Sequence, residues 1–502
     1  MGRIKKGLIP LMSTTRNWYK TAEAALSITP AEFQAMSYKE KEALAINKSI
    51  SSQTQQLFFT KEYRDKRLTL QIIAMDTSIT PEIQKLCFTQ EYEDKSTILW
   101  RLAKNTSITP QTQLLFFTQE YKTKGDALQT LAMNTSITPE IQKMFFTQEY
   151  YGKSNILQYL AENRSISPEV QRLFFTQEYE GKNWVLSNLA INTSISPEVQ
   201  LLFFTQEYKT NLNTLRALAE NTSISPEVQL LLFTQEYEDK STILWRLAKN
   251  RSISPQTQLL FFTEEYLDNL NALHELAQNR SISPQTQLLF FTQEYGDKGN
   301  ILKNLFFNTS ISPEVQRLFF TQEYEWKSEV LHYLAKNTNL SSQTQLLFFT
   351  VKYKDNVNPL YYLARNTSIS PWVQRLFFTQ EYKSKDSTLR TLAKNTSLSP
   401  EVQLLFFTQE YKSRYAVENE FNSKGDALEY LAQNISITSQ TQKMFFTDKY
   451  EDKDKVLKNL VENPSFLKDF TTQELREFTK AKEARLYVYR IRFKAVKEKI
   501  KL

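Results

Sequence analysis

The chain has 502 residues, of which 41% are hydrophobic and 13% aromatic, and 62 Lys+Arg against 55 Asp+Glu leave a net charge of +7. That apolar content excludes a disordered chain. A single cysteine (Cys87), two histidines (His274 and His332) and eight glycines without a GxGxxG or P-loop pattern exclude disulfide frameworks, thiolate or histidine metal sites, His-based triads and phosphate-cradling loops.

The first segment, 1–26, is basic: residues 1–20 hold Arg3, Lys5, Lys6, Arg16 and Lys20 and no acid. Its apolar stretch is too short for a signal peptide, and Lys6 occupies the Ser/Thr position of a myristoylation motif. No apolar run approaches the ~20 residues that cross a bilayer. A cytoplasmic, reducing location is the expectation, with either Met1 or Met12 as the start. The C-terminal segment 471–502 is also basic, so the chain between the ends is slightly acidic. A continuous basic track for nucleic acid along the body is not expected.

The body, 27–470, is a repeat. A motif of the form N-T-S-I-S-P-E-V-Q recurs every 29 residues from Asn47 to Asn395, with Asp76 in the one gap. About ten extra residues near 414–423 interrupt it, and it resumes at Asn434 and Asn463. In residues 192–221, Ser196 suits an N-cap, Pro197 the first helical position and Glu198 the helix dipole. Helix A is expected over 197–208, with Val199, Leu202, Phe203 and Tyr208 inward. Helix B is expected over 212–220, with Leu215, Leu218 and Ala219 inward, and Asn221 closes it in a left-handed conformation. Neither helix alone covers its apolar sides, so neighbours must. The expected fold is all-α: an α-solenoid superhelix of about fifteen two-helix repeats.

Two polar positions recur throughout. Thr at the Thr60 position is expected to be buried and bonded to the carbonyl four residues back. Gln at the Gln55 position, with the Asn row, is expected to bridge the backbones of adjacent repeats. Lysines in the A–B loops (Lys66, Lys95, Lys124, Lys153, Lys182, Lys240, Lys298, Lys327 and Lys385) are expected to serve solubility on a rim, with a phosphate-binding stripe as the alternative.

The stretch Leu218-Ala219-Glu220-Asn221-Thr222-Ser223-Ile224-Ser225-Pro226-Glu227-Val228 resembles the L-A-x-N-P-x-T-P-x-E-L unit of the variant leucine-rich repeat, a bacterial α-solenoid family. Asn463-Pro464-Ser465 keeps the Asn-Pro. The resemblance spans about 27–470. The unit here is longer, Thr usually replaces the Pro after Asn, and the cysteine cluster of one iron–sulfur member is absent. The resemblance implies a curved solenoid of stacked short helices and no established activity. HEAT-like repeats are the neighbouring alternative.

Identity in every repeat marks frame, and variation marks surface. The varied positions lie on helix B and form i, i+1, i+4 patches. Trp100/Arg101/Lys104 and Trp245/Arg246/Lys249 are aromatic and basic. Lys303, His332, Tyr333, Lys336, Tyr361, Tyr362, Arg365, Arg390 and Lys394 continue the pattern over four repeats without an acid in the patch positions. Second helices of solenoids commonly line the concave side. The expected function is a non-enzymatic scaffold that binds a protein partner there. Binding of single-stranded nucleic acid to the same strip and the basic ends is the alternative. No catalytic residue, cofactor, metal or small-molecule ligand is expected. A hydrolase on a HEAT-like frame would need a lone carboxylate in a concave pocket, and the aspartates sit mainly in loops.

Residues Phe88–Asn105 are identical to Phe233–Asn250, an offset of 145. Such recent duplication suits a scaffold of variable length. In 471–502, Thr471 and Glu474 form a capping box, and apolar residues from Leu475 to Ile500 at helical spacing make a basic amphipathic helix. It is expected to cap the array, with partner, nucleic-acid or membrane docking as alternatives. The insertion Tyr415–Ser423 is expected to be a loop on one rim.

Overall fold

A computed structural model describes residues 27–47, 50–60, 67–91, 94–118, 125–324, 326–350, 353, 357–382, 385–409, 423–450, 452–466, 471 and 473. The basic N-terminal segment, the inserted loop and the amphipathic C-terminal helix lie outside these residues, apart from Ser423, Thr471 and Gln473. Thirty α-helices and one 3-10 turn follow one another, and no β-strand occurs among the described residues. The chain divides into two compact units, 1–240 and 241–502. Each is an all-α repeat solenoid, in which A helices lie beside A helices and B helices beside B helices.

The A helix starts as its sequence dictates. Twelve of these helices carry Pro in the first turn. In the repeat at 192, the Val199 N–H donates to Ser196 Oγ at 3.4 Å. Hydrogen bonds from the Glu198 N–H and Ser196 hold the Glu198 carboxyl below its usual range. Val199, Phe203, Leu215, Leu218 and Ala219 are fully buried. Leu212–Glu220 forms the B helix as expected.

Paired phenylalanines tie one repeat to the next. The first is buried within its own repeat. The second meets the first of the following repeat edge-on, as in Phe146–Phe174 at 4.8 Å and, in the other unit, Phe291–Phe319 at 4.8 Å.

Two rows of amides complete the spine. Asn192 Nδ2 donates to the carbonyls of Ala161 at 2.6 Å and Asn163 at 3.0 Å, and its Oδ1 accepts the Ser194 N–H at 2.9 Å. Gln171 Nε2 donates to Ile166 O at 3.1 Å and Ser194 O at 3.0 Å, while its Oε1 accepts the Ser196 N–H at 2.9 Å. All hydrogen-bonding capacity used here faces backbone that the helices leave orphaned. The same pattern runs through the second unit, for example at Asn366 and Gln345. It survives the insertion: Asn434 Nδ2 reaches Ala393 O at 2.8 Å and Asn395 O at 2.9 Å. The expected bridging role of both amides is what the structure shows.

Four expectations need correction. Asn221 does not adopt the left-handed conformation, since φ −66° and ψ 119° are extended. Its value lies in the side-chain bonds, which an extended backbone presents to the preceding repeat. The recurrent Thr is exposed, although Thr89 Oγ1 does donate to Lys85 O at 3.2 Å. It sits at the last helical position, so its side chain leaves the core for solvent while its hydroxyl shares a carbonyl of the final turn. Lys66 and Lys124 lie outside the described residues, but Lys153, Lys182, Lys298, Lys327 and Lys385 are not free rim charges: each turns its ammonium onto a backbone carbonyl. Lys182 Nζ donates to Phe175 O at 2.7 Å, and Lys327 Nζ donates to Phe320 O at 2.7 Å and Gln322 O at 2.6 Å. Their side chains are only 13% and 12% exposed. They cap the carbonyl end of helix A, where a cation also complements the dipole. After the insertion, Lys424 fills the same slot on Phe407 O at 2.8 Å.

The fourth correction concerns helix A at 197–208, which ends early: Pro197–Gln200 passes into a 3-10 turn, Leu201–Phe204. Two loop types explain this. Where a left-handed residue precedes the lysine, helix A runs nine residues, as in Pro168–Thr176 before Gly181 (φ 71°). A Cβ on Gly181 would also lie 2.5 Å from Ser154 Oγ, so glycine is doubly required there. Where Asn211 and Asn269 replace the lysine, they cap helix B instead, and helix A shortens to the 3-10 form or to Pro255–Leu260. Tyr208 then reaches back to Phe175 O at 2.7 Å, whereas Tyr179 bonds its own Phe174 O at 2.8 Å. The short helices Pro110–Leu115 and Pro255–Leu260 stand at the 145-residue offset of the duplicated stretch.

Candidate partner-binding surface

The stacked B helices present the varied positions to solvent within each unit. Trp100, Arg101, Trp245, Arg246, Lys303, His332, Tyr333, Tyr361, Tyr362 and Arg390 are half-buried, and Lys104, Lys249, Lys336, Arg365 and Lys394 are exposed. Inward neighbours such as Leu331, Leu334, Leu360 and Leu363 fill the core and leave this face free.

In the first unit, the Arg101 guanidinium and Lys104 ammonium sit over the Trp100 ring at 4.8 and 4.9 Å. Beside it opens a cavity of about 560 Å³ bordered by Asp126, Gln129, Thr130 and Tyr151. In the second unit, Lys249 covers Trp245 at 3.9 Å. Glu275 then engages both, at 3.2 Å from Trp245 Nε1 and 3.4 Å from Lys249 Nζ. Two identical stretches of sequence thus acquire different surroundings.

Further along, the Phe306 and Tyr333 rings stack at 4.9 Å with a 6° tilt, and His332 packs on Tyr362 at 3.9 Å. Burial and the nearby Lys336 ammonium lower the His332 pKa, which favours the neutral ring. Lys336 lies over Tyr333 at 4.6 Å and Tyr362 at 4.1 Å. Lys394 lies over Tyr430 at 3.7 Å. Tyr361, Arg365, Thr367, Thr391 and Lys394 border a pocket of about 360 Å³. His274 is separate from this cluster, contacting Asp297 at 3.1 Å and Asn304.

The strip is less uniformly basic than its patch positions suggest. Lys303 pairs with Glu329 at 3.3 Å, and Arg390 pairs with Asp386 at 3.3 Å and Asp426 at 3.2 Å. These acids stand one helical turn before the patch residues, on the same face. An i−3 or i−4 extension of the patch would have found Glu329 and Asp386. Tyr430 and Asp426 come from the repeat after the insertion. Among the described residues, Lys336, Arg365 and Lys394 have no carboxylate within ion-pair distance.

Burial pushes the Cys87 thiol up to about 12, which leaves it a packed thiol. No group of three or more His, Cys, Asp or Glu among the described residues is placed to hold a metal ion. No helix among them is long and apolar enough to cross a membrane. No protein-family model matches the sequence, and a search of curated proteins finds no significant match.

Proposed function

We propose that this protein is a non-enzymatic repeat scaffold that takes a protein partner on its B-helix face. One observation carries the proposal. The polar side chains that recur through most repeats, Asn, Gln and loop Lys, are largely taken up by backbone bonds within the stack. The varied aromatic and cationic side chains remain accessible on one face, where Trp, Tyr and Arg are the residue types that anchor protein interfaces. Carboxylates interleaved on that face, such as Glu275, Glu329 and Asp386, disfavour a continuous phosphate track, so nucleic acid stands second. Kinship with variant leucine-rich or HEAT-like repeats belongs to the same proposal and rests on the Leu218–Val228 motif. So does a reducing, cytoplasmic location, which rests on a single buried cysteine.

The test is affinity capture with the full chain, with and without nuclease, beside a Tyr361→Ala/Tyr362→Ala/Arg365→Ala variant. The expected result is a protein partner retained through nuclease treatment and lost with the variant. Capture abolished by nuclease would replace the proposal with nucleic-acid binding. Capture indifferent to the variant would remove the partner from this face.

A further inference from the structure

Building on the proposed partner face, we infer that its occupant is an extended acidic peptide segment carrying a carboxylate at every third residue, read by Lys336, Arg365 and Lys394. These three cations occupy one register position in consecutive repeats, each at the carboxyl end of its B helix. Phe307 and Gln433 at the flanking equivalents end the row. Several other cations on the face are neutralised: Lys249 by Glu275, Lys303 by Glu329, Arg390 by Asp386 and Asp426, Lys455 by Glu429 at 2.6 Å; Lys104, over Trp100 in the first unit, stands at the same register without a carboxylate but outside the three-repeat row. The three in the row are not neutralised. Lys336 and Lys394 are held over tyrosine rings, which fix an ammonium without cancelling its charge. Being partly desolvated by a ring and unpaired, they retain strong demand for an anion.

The geometry sets the ligand's period. Neighbouring helices pack about 8–10 Å apart, which spaces the cations. A polyproline-II strand rises about 3.1 Å per residue with three residues per turn, so every third side chain returns to one side after about 9 Å. A β-strand returns to the same side after about 6.7 Å and an α-helix after about 5.4 Å, and neither matches. Beside the cations stand Tyr333, Tyr361, Tyr362 and Tyr430, the kind of aromatic lining that such strands dock against. The pocket between Arg365 and Lys394 adds receptors for one carboxylate, since the Thr367 and Thr396 hydroxyls that border it make no other hydrogen bond among the described residues.

The test is fluorescence anisotropy at low salt with the full chain and four labelled probes. These are a (Glu-Pro-Pro)5 peptide, a peptide of the same composition with its glutamates contiguous, (Lys-Pro-Pro)5 and an oligo-dT strand. The Glu-Pro-Pro peptide should bind, and the contiguous one should bind roughly tenfold more weakly. Arg365→Ala/Lys394→Ala should weaken the first roughly fivefold to tenfold, with circular dichroism unchanged. Equal binding of the two acidic peptides, lost in the variant, would overturn the third-residue period and leave the partner face standing. Binding that ignores the variant would overturn the assigned row. Preference for oligo-dT would overturn the inference and the protein-partner proposal together. Absence of binding by every probe would overturn the inference alone, because the capture experiment still tests the face.

Discussion

The junctions entered at Asp76 and at Asn192 are built from the same motif, yet they are locked differently. At Asn192 the amide gives two hydrogens to the preceding repeat, Gln171 bridges forward with both ends, and Phe175 meets Phe203 at 4.8 Å. At Asp76 the carboxylate keeps only the accepting half, from the Ser78 N–H at 2.9 Å and Ser78 Oγ at 2.9 Å. A carboxylate has no hydrogen to return to the previous repeat. Gln55 Oε1 is buried without a partner, and Cys87 stands where Phe203 stands. The Asp76 junction thus lacks the donor half of the Asn lock, one end of the Gln bridge and the edge-on ring pair at once.

That contrast can be broken from either side. The largest effect is expected from Asn192→Asp, which strands the Ala161 and Asn163 carbonyls and buries a charge. A loss on the order of 3–4 kcal/mol is expected, read as lost amide-exchange protection in 163–220. Phe203→Ala should follow at about 3 kcal/mol by opening a cavity beside Phe175, measured by denaturant unfolding. Protection at the Asp76 junction should rise by about 1–2 kcal/mol with Asp76→Asn, because the new amide can donate as Asn192 does. No gain there would show that the Asn donors contribute little.

Alkaline pH should loosen the well-locked repeats. Burial raises the Tyr150, Tyr179 and Tyr324 hydroxyls above their ordinary range, and Tyr382 well above it. A raised folded-state pKa gives stability that is whole below the unfolded value of about 10 and is lost as pH rises beyond it. Thermal midpoints should therefore hold up to about pH 10 and fall above it. The smallest effect belongs to the B face: Tyr361→Ala/Tyr362→Ala/Arg365→Ala should cost no more than about 1 kcal/mol, by thermal melting. Unfolding of that variant would mean these residues belong to the frame.

Much of the frame was legible. Ser196-Pro197-Glu198 announced a helix start, and Leu215, Leu218 and Ala219 announced the buried side of helix B. The lysine caps were not legible, because Lys182 lies seven residues beyond the carbonyl it serves and only the folded loop brings them together. On the candidate surface, the aromatic and basic positions were legible as variation at fixed register. The neutralising acids were missed because Glu329 belongs to the repeat after Lys303, and Asp426 lies beyond the insertion from Arg390.

The sequence by itself determined a stack of paired helices, since the 29-residue period repeats caps, apolar stripes and bridging amides together. Short-range chemistry fixes those features within a few residues of each other. Tertiary structure alone decided which charges remain unspent. Trp100 and Trp245 lie in identical stretches, yet only Trp245 meets a glutamate from the next repeat. Ion pairing depends on distances across repeats, which stacking sets.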